Sequence, residues 1–333
     1  MLIVGSKEVQ QILDGREEEV YTVVLAAYGR HARGETVVPH SVFLRFPDDD
    51  RNRIIGLPAY LGSDEPVAGM KWISSFPGNV ALGLERASAA IILNSLRTGH
   101  PEALIEGSTI SARRTGASAA LAAATLAPTH PDTGVSLIGC GVINYEVLRF
   151  LRVALPELRE VTLFDRDRDR AAEFARRCEP WAAQLKIVLS DRIEDALAAH
   201  PLVCLATTAA APHLGIEHCR PGTLLLHLSL RDLTLDAVLA AVNVVDDPDH
   251  VCRASTSLHL TEQQEGNRDF VSATIGGILT SGRPYRRDEQ RVTVFSPFGL
   301  GILDLALADL VRRTALRDGY GTRLPDFLPA GPQ

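Results

Sequence analysis

The feature that most constrains this chain is a glycine-containing run, GVSLIGCGVINYEVLRF, which begins at residue 134. Gly139 and Gly141 stand between an apolar run typical of a buried strand and a run with the apolar spacing of a helix. In that context the first glycine permits a tight turn, the second lets a pyrophosphate approach the backbone, and the helix N-terminus offers unpaired N–H donors. Asn144 departs from the fingerprint, which usually has glycine or alanine there. The run predicts a dinucleotide site, with contacts expected at Gly139, Gly141, Val142 and Ile143.

An acidic residue further along strengthens this interpretation. Asp165 ends the next apolar run, where a carboxylate accepts hydrogen bonds from the adenosine ribose and repels a 2′-phosphate, so NAD is the expected cofactor. Arg166, a further cofactor-binding candidate, and Arg168 stand beside it and could accommodate a phosphate, which leaves NADP as an alternative. Without the strand, the helix and the acidic residue, a glycine turn in another kind of α/β protein would explain the motif as well.

The alternation of strand-like and helix-like runs predicts the fold class. From Gly134 onward, apolar runs of strand length are separated by helical runs, as in EVTLFD, DRDRAAEFARRC and LKIVLS. This order predicts βαβ units and a parallel sheet, and therefore an α/β protein with a Rossmann-type doubly wound sheet. Before it, an amphipathic helical run over Ser6–Tyr28, with a break expected near Gly15, is followed by β-like runs such as VFLRF and RIIGLPAYL, and then by an alanine-rich helix from about Ala112.

Charge and composition argue against several other classes of protein. The 333 residues carry a formal net charge of −7, so no basic face for nucleic acid is expected. No uncharged apolar window is long enough to span a membrane, and the start MLIVGSKEVQQIL lacks the basic segment of a secretory signal, which favours a cytoplasmic protein. The 5 cysteines are scattered without CxxC spacing and the histidines show no paired spacing, so no metal site is predicted.

Four runs, in chain order, carry a resemblance to a known family. They are MKWISSFPGN (70–79), EGSTISARRTGASAALAA (106–123), SLIGCGVINYEV (136–147) and VFSPFGLGILDLALADL (294–310). Together they resemble the ornithine cyclodeaminase and mu-crystallin family over nearly the whole chain. KWISSFPGN, together with HLSLRDL (227–233), resembles more narrowly the branch that forms 2,3-diaminopropionate for siderophores and peptide antibiotics.

The resemblance implies an NAD-dependent dehydrogenase that acts on a CH–NH bond. Members of that branch oxidise N-(2-amino-2-carboxyethyl)-L-glutamate, a conjugate of two amino acids, to L-2,3-diaminopropionate and 2-oxoglutarate. The family also implies a homodimer and a discontinuous α+β substrate-binding and dimerisation domain. Residues 1–125, completed by 305–333, would form that domain, and residues 126–304 would form the NAD-binding Rossmann domain.

Basic residues are the candidates for holding a substrate with three carboxylates, because a carboxylate withdrawn from water must be paired. The family pattern has a lysine at the place of Lys71 and an arginine followed by threonine at Arg114–Thr115. The resemblance therefore implies catalytic and substrate-binding roles for Lys71 and Arg114, and a place near the cofactor phosphates for Thr115. Arg114 also falls in the expected first turn of the alanine-rich helix, where a cation is unfavourable unless an anion is bound.

Other assignments of the basic residues stay open. Arg45, inside the apolar run VFLRF, is a less secure substrate-binding candidate, for which His40 is a competitor. Arg113 is expected on the solvent face. Each of these cations could also be a surface residue whose aliphatic stem packs on the protein.

Asp232 is the candidate general base. It follows the apolar run GTLLLHLSL, and a carboxylate there could take the amine proton and guide water to the imine. The alternative is that Asp232 caps the helix expected from about Thr234. In cyclodeaminases the catalytic aspartate aligns nearer Ser229, so the chain departs from that branch. The remaining cofactor-binding candidates are Thr207, Thr208, Ser229, Leu230 and Ser296.

Two other functions compete with the dehydrogenase. One is a cyclodeaminase or ketimine reductase acting on ornithine, lysine or a cyclic imine. The other is a binding protein like mu-crystallin, which would hold the cofactor and a small acid without turnover.

Overall fold

The computed structural model describes residues 1–62, 64–126 and 133–329. The chain divides into two compact units: unit 1 is Met1–Arg114 with Leu300–Gln333, and unit 2 is Thr115–Gly299. The boundaries predicted after residues 125 and 304 lie further along the chain than these, and the functional assignment of the domains stays a prediction. Within the described ranges, no helix combines the length and the apolar character that a membrane span requires.

From β8 to β13, the helices and strands follow the order expected from the sequence. The described helices are α1 (Ser6–Leu13), α2 (Glu17–Ala32), α3 (Ser108–Thr125), α4 (Val142–Ala154), α5 (Arg168–Ala182), α6 (Ile193–Ala199), α7 (Leu235–Ala240), α8 (Pro248–Val251), α9 (Ser257–Glu265), α10 (Ile275–Thr280) and α11 (Gly301–Asp318). The described strands are β1 (Leu2–Val4), β2 (Thr36–Val37), β3 (Val42–Phe46), β4 (Asp49–Leu61), β5 (Val67–Ser75), β6 (Ala87–Asn94), β7 (Pro101–Glu106), β8 (Gly134–Ile138), β9 (Glu160–Phe164), β10 (Lys186–Leu189), β11 (Leu202–Leu205), β12 (Leu224–His227), β13 (Val242–Val245), β14 (Val271–Thr274), β15 (Thr293–Ser296) and β16 (Thr322–Arg323).

Unit 2 contains a parallel sheet in the order β10-β9-β8-β11-β12-β15-β13-β14. Its central strands β8, β11 and β12 are buried along their whole length, which explains why they are apolar without alternation. The order runs outward in both directions from β8 and β11, so the topological switch point lies between these two strands. The predicted Rossmann-type doubly wound sheet is confirmed.

Unit 1 contains a mixed sheet in the order β16-β1-β7-β6-β5-β4-β2, with β3 paired to β4. Most of its pairs are antiparallel, and α11 packs on one side of it. Gly301 lets α11 begin close to the sheet, because a Cβ there would lie 3.1 Å from the carbonyl oxygen of Leu57. Since α11 and β16 come from the end of the chain, the predicted discontinuous α+β fold is confirmed.

The start of α3 differs from the prediction. The helix begins at Ser108 and not near Ala112, because the carboxylate of Glu106 accepts hydrogen bonds from the backbone N–H groups of Ser108 and Thr109. Arg114 therefore lies beyond the first turn. The prediction that Arg114 needs an anion because it occupies a helix N-terminus was therefore wrong.

Candidate active site

The glycine loop of unit 2 has the geometry that a pyrophosphate requires. Gly139 adopts φ +91°, and a Cβ there would lie 2.5 Å from the carbonyl oxygen of Ala206, so only glycine fits. Around Gly141 the space is open, and this residue is the N-cap of α4, with no side chain bonded to the first N–H groups of the helix. Val142 is exposed and Ile143 partly exposed. Backbone donors thus face open space at a helix N-terminus, which fits the phosphates of a dinucleotide.

The contacts of Asn144 explain why an asparagine stands where the fingerprint usually has glycine or alanine. The side chain is fully buried, and its Nδ2 donates to the carbonyl oxygens of Ile138 at 3.0 Å and Gly139 at 2.7 Å. These two bonds tie the end of β8 to the start of α4. A small residue at this position allows close packing of strand and helix, whereas Asn144 joins them by hydrogen bonds.

Asp165 lies beside the glycine loop, where the sequence places a ribose-binding carboxylate. One carboxylate oxygen accepts a hydrogen bond from the Cys140 N–H at 2.8 Å, and the other accepts one from the Asp167 N–H at 3.0 Å. Of the two neighbouring arginines, Arg166 is exposed, while Arg168 is paired on the surface with an aspartate. The fixed carboxylate is placed to favour a ribose hydroxyl over a 2′-phosphate.

Asp232 lies in a closed hydrogen-bond network, called here the Asp232 network, with Thr207, Ser229 and His227. The hydroxyls of Thr207 and Ser229 donate to different oxygens of the Asp232 carboxylate, and His227 Nε2 lies 3.3 Å from Oδ2. Asp232 is fully buried, which alone would raise its pKa, but the bonds from His227, Ser229 and Thr207 and the charge of His227 bring that pKa down to about 2. The carboxylate is therefore ionised at physiological pH, and its oxygens are already engaged.

The alternative in which Asp232 caps α7 is wrong. Thr234 is the N-cap, and its hydroxyl accepts the hydrogen bond from the N–H of Ala237 at 3.4 Å. The network instead fixes the hydroxyls of Thr207 and Ser229, which follow the carboxyl ends of β11 and β12. Open, doubly wound sheets bind their ligands at that edge. The structure thus favours a positioning role for Asp232, and its role as general base stays a prediction.

His227 is the member of the network that sequence reasoning missed. It is fully buried at the end of β12, its Nδ1 lies 3.2 Å from Ser296 Oγ, and its Nε2 lies 3.2 Å from the backbone nitrogen of Asp232. Ser296, predicted to contact the cofactor, is fully buried against this imidazole. A histidine that ends an otherwise apolar strand run was the available signal, because a buried imidazole needs polar partners.

The turn after β12 brings Asp232 back toward Ser229. Leu230 adopts φ +67°, a left-handed conformation that is uncommon for leucine, and its carbonyl accepts a hydrogen bond from Ser257 N–H at 2.7 Å. Of the other predicted contacts, Thr208 is exposed and Thr115 is partly exposed.

In unit 1, two of the predicted cations meet around one carboxylate. Lys71 on β5 and Arg114 on α3 contact Asp304 on α11, with Lys71 Nζ 2.6 Å from Oδ2 and Arg114 Nε 3.0 Å from Oδ1. Lys71 is 2% exposed, Arg114 8% and Asp304 0%. These three residues are called the Asp304 cluster. Two buried cations share one anion, so the cluster keeps a positive charge that a further carboxylate would neutralise.

Lys71 is poised to exchange a proton near neutral pH. Burial lowers the pKa of its ammonium, the charge of Asp304 raises it in part, and the charge of Arg114 lowers it further, to about 8. Its Nζ also donates to Ser111 Oγ at 3.2 Å. Since general acid–base catalysis works best with a pKa near the working pH, Lys71 is the more suitable proton carrier of the two candidate residues.

Two other arginines lie elsewhere. The prediction that Arg113 faces solvent was wrong, because it is 3% exposed and bonded to Asp14 and Glu17, which ties α3 to the N-terminal helices. Arg45 is exposed on β3, with its guanidinium 5.7 Å from the ring centre of Phe43. The structure does not bring Arg45 into the Asp304 cluster.

Comparisons with known proteins identify the family of this chain. The family model described as "Ornithine cyclodeaminase/mu-crystallin family" matches residues 6–319. The N-((2S)-2-amino-2-carboxyethyl)-L-glutamate dehydrogenase of Staphylococcus aureus is 26% identical over 331 residues, which cover 97% of this chain and 98% of that protein.

Solved structures resemble the chain over its whole length. The Δ1-pyrroline-2-carboxylate reductase of Thermococcus litoralis, in complex with NADH and L-proline, has a TM-score of 0.90 and 25% identity, covering 97% of this chain and 100% of its own. An archaeal alanine dehydrogenase dimer with bound NAD has a TM-score of 0.87 and 27% identity, covering 98% and 99%. With a family model that spans nearly all of its residues, this chain belongs to the ornithine cyclodeaminase/mu-crystallin family.

Proposed function

We propose that this chain is an NAD-dependent dehydrogenase that cleaves N-(2-amino-2-carboxyethyl)-L-glutamate into L-2,3-diaminopropionate and 2-oxoglutarate. Dehydrogenases and reductases of amino-acid CH–NH bonds are its relatives, and one of them carries this activity in its name. The observation that carries the proposal is the Asp304 cluster, a buried site with excess positive charge and a lysine of lowered pKa. It suits a carboxylate-bearing amine whose nitrogen must lose a proton.

The residues of unit 2 that would hold the cofactor have distinct tasks. When bound, NAD supplies the acceptor for the hydride. The glycine loop and the first N–H groups of α4 bind its pyrophosphate, and Asp165 binds the adenosine ribose. The hydroxyls of Thr207 and Ser229, oriented by Asp232, would contact the nicotinamide end of the cofactor.

The residues of unit 1 bind the substrate and move its proton. Arg114 pairs with the carboxylate next to the reacting carbon, and neutral Lys71 takes the proton of the secondary amine. The α-hydrogen of the glutamate half then leaves as hydride, and the nitrogen lone pair forms a C=N bond. Water adds to that carbon and the C–N bond breaks, which yields the amine of 2,3-diaminopropionate and the keto group of 2-oxoglutarate. Asp232 is the alternative proton acceptor.

The experiment that tests this function is an assay of the purified protein with the conjugate and NAD. NADH and 2-oxoglutarate should form in equal amounts. Ammonia release from ornithine without net NADH would select a cyclodeaminase, and NADH consumption with a cyclic imine would select a ketimine reductase. Tight binding of cofactor and acid without any turnover would select a binding protein. No conjugate-dependent NADH across a broad pH range would refute the proposal.

We also propose a homodimer, formed by the face of the unit 1 sheet opposite to α11. Val42 and Trp72 are both level with Gly56 in the sheet and therefore lie on one side, with Leu44 two residues along. Their exposed fractions are 63%, 40% and 45%. An apolar face of this kind usually has a partner, and the archaeal relative is a dimer. Light scattering should give twice the 36.0 kDa chain mass.

We propose, together with the dehydrogenase activity, a cytoplasmic location and a role in siderophore or antibiotic synthesis.

A further inference from the structure

The side of the unit 1 sheet that carries Lys71 has basic residues at two places along β5. The first basic end is the Asp304 cluster, and the second lies near Ser75. Strand β5 pairs in unbroken register with β4 and β6 from Ala68 to Ser75. Lys71 and Ser75 therefore point to the same side of the sheet, and so does Arg53, the β4 partner of Ser75. At 3.3 Å per residue, the positions of Lys71 and Ser75 are about 13 Å apart along the strand.

Arg86 lies at this second end. Its Nη1 donates a hydrogen bond of 2.7 Å to Ser75 Oγ, and Ser75 is itself buried. Burial lowers the pKa of Arg86, and the charge of Glu85 offsets only part of that effect. Among the residues that the structure describes, no carboxylate forms an ion pair with Arg86. A partly buried guanidinium is thus held in place by a neutral hydroxyl, and its other N–H donors can receive an anion.

An apolar surface connects the two basic ends. Ile55 and Ile73 are opposite each other in the register, on the side of Lys71, and both are partly exposed. Leu57, level with Lys71, is buried where Gly301 approaches it. A cation at each end of a partly exposed aliphatic strip suits a molecule with two anionic groups joined by a short hydrocarbon chain.

We propose that Arg86, held by Ser75, binds a second carboxylate of the substrate, while the first pairs with Arg114 in the Asp304 cluster. The ligand class is a dicarboxylic amino acid or a conjugate of two amino acids. Arg86 thereby selects against amino acids with one carboxylate. The identification of this ligand with the conjugate rests on the proposed function, whereas recognition of two carboxylates does not.

Calorimetric binding to the NADH-loaded full-length protein tests the proposal, with glutarate and butyrate as matched dicarboxylate and monocarboxylate probes. The wild type should bind glutarate at least tenfold more tightly than butyrate, and Arg86→Ala should lose that preference, since a charge-assisted hydrogen-bonded pair is worth about 10- to 100-fold. Arg86→Lys, which keeps the charge, should retain part of it. Arg51→Ala removes the same charge from a side chain that is 81% exposed on the same strand as Arg53, and it should bind both probes as the wild type does.

Turnover separates this inference from the proposed function. With the conjugate as substrate, Arg86→Ala should raise KM about 10- to 100-fold and leave kcat nearly unchanged, because the contact exists in both ground and transition states. If the wild type cleaves the conjugate and Arg86→Ala keeps both its KM and the glutarate preference, the second carboxylate site is refuted and the function stands. If the wild type does not cleave the conjugate but its glutarate preference depends on Arg86, the site stands and the function is refuted.

Discussion

Replacing Lys71 by methionine tests the assignment of the Asp304 cluster most directly. The substitution removes one charge and keeps the length of the side chain. Lys71 is almost completely buried, and burial is the main cause that brings its pKa from 10.5 to about 8, against the opposing charge of Asp304. In the unfolded chain the lysine regains its ordinary pKa near 10.4. The pKa difference between the two states couples the stability of the fold to pH.

The sign and size of the coupling follow from proton binding. Between pH 8 and about 10.5, the unfolded chain holds a proton that the folded chain has released, so the free energy of unfolding rises with pH. Below pH 8 both states are protonated, and the cost of burying the ammonium is fully present. The complete difference corresponds to about 3 kcal/mol, of which about 2 kcal/mol is reached by pH 9.5.

The assay is urea unfolding of both proteins at intervals from pH 7 to pH 9.5. The free energy of unfolding of the wild type should gain about 2 kcal/mol on that of Lys71→Met over this interval. Lys7→Met is the matched control, since Lys7 is exposed on α1, and its curve should run parallel to that of the wild type. Parallel curves for the wild type and Lys71→Met would refute the reasoning, because Lys71 would then titrate alike in the folded and unfolded chains.

Three further predictions concern unit 2. Asp232→Asn should weaken NADH binding about tenfold as well as lower kcat, because the amide keeps only one acceptor oxygen and one of the hydroxyls of Thr207 and Ser229 loses its partner; loss of kcat with unchanged NADH affinity, measured by fluorescence titration, would instead identify Asp232 as the base. Asp165→Ser should shift the ratio of kcat/KM for NAD and NADP by tenfold or more toward NADP, and an unchanged ratio would remove Asp165 from the ribose site. Asn144→Ala should lower the free energy of unfolding by about 1–3 kcal/mol and weaken NAD binding, because two buried carbonyls lose their donor; a wild-type urea midpoint would contradict this.

The fold of unit 2 was largely predictable because its signals are local in sequence. The glycine turn, the strand before it and the helix after it lie within GVSLIGCGVINYEVLRF, and Asp165 follows one strand later. Parallel strands buried on both faces also produce apolar runs that can be recognised without any partner. The effect of Asn144 was not predictable, since only the folded loop shows which carbonyls its amide reaches.

Sequence signals alone did not decide the environment of individual charged residues. Arg113 and Arg114 are adjacent on α3, and the sequence predicted that Arg113 faces solvent. Both are buried, and each is paired with a different carboxylate. Likewise, Asp232 could have been a helix cap or a base from its position alone. The outcome depended on Thr207, which comes from another strand, and on the imidazole of His227.

By itself, the sequence determined the doubly wound sheet, the glycine loop and the position of Asp165 after the next strand. Turn geometry and strand burial act over a few neighbouring residues, and such signals can be read locally. Only the tertiary structure decided the charge state of the candidate substrate site. Asp304 reaches Arg114 across 190 positions of the chain, and the burial that lowers the pKa of Lys71 exists only once α11 packs on the sheet. Electrostatic energies depend on distance and on exclusion of water, and neither can be read from the order of residues.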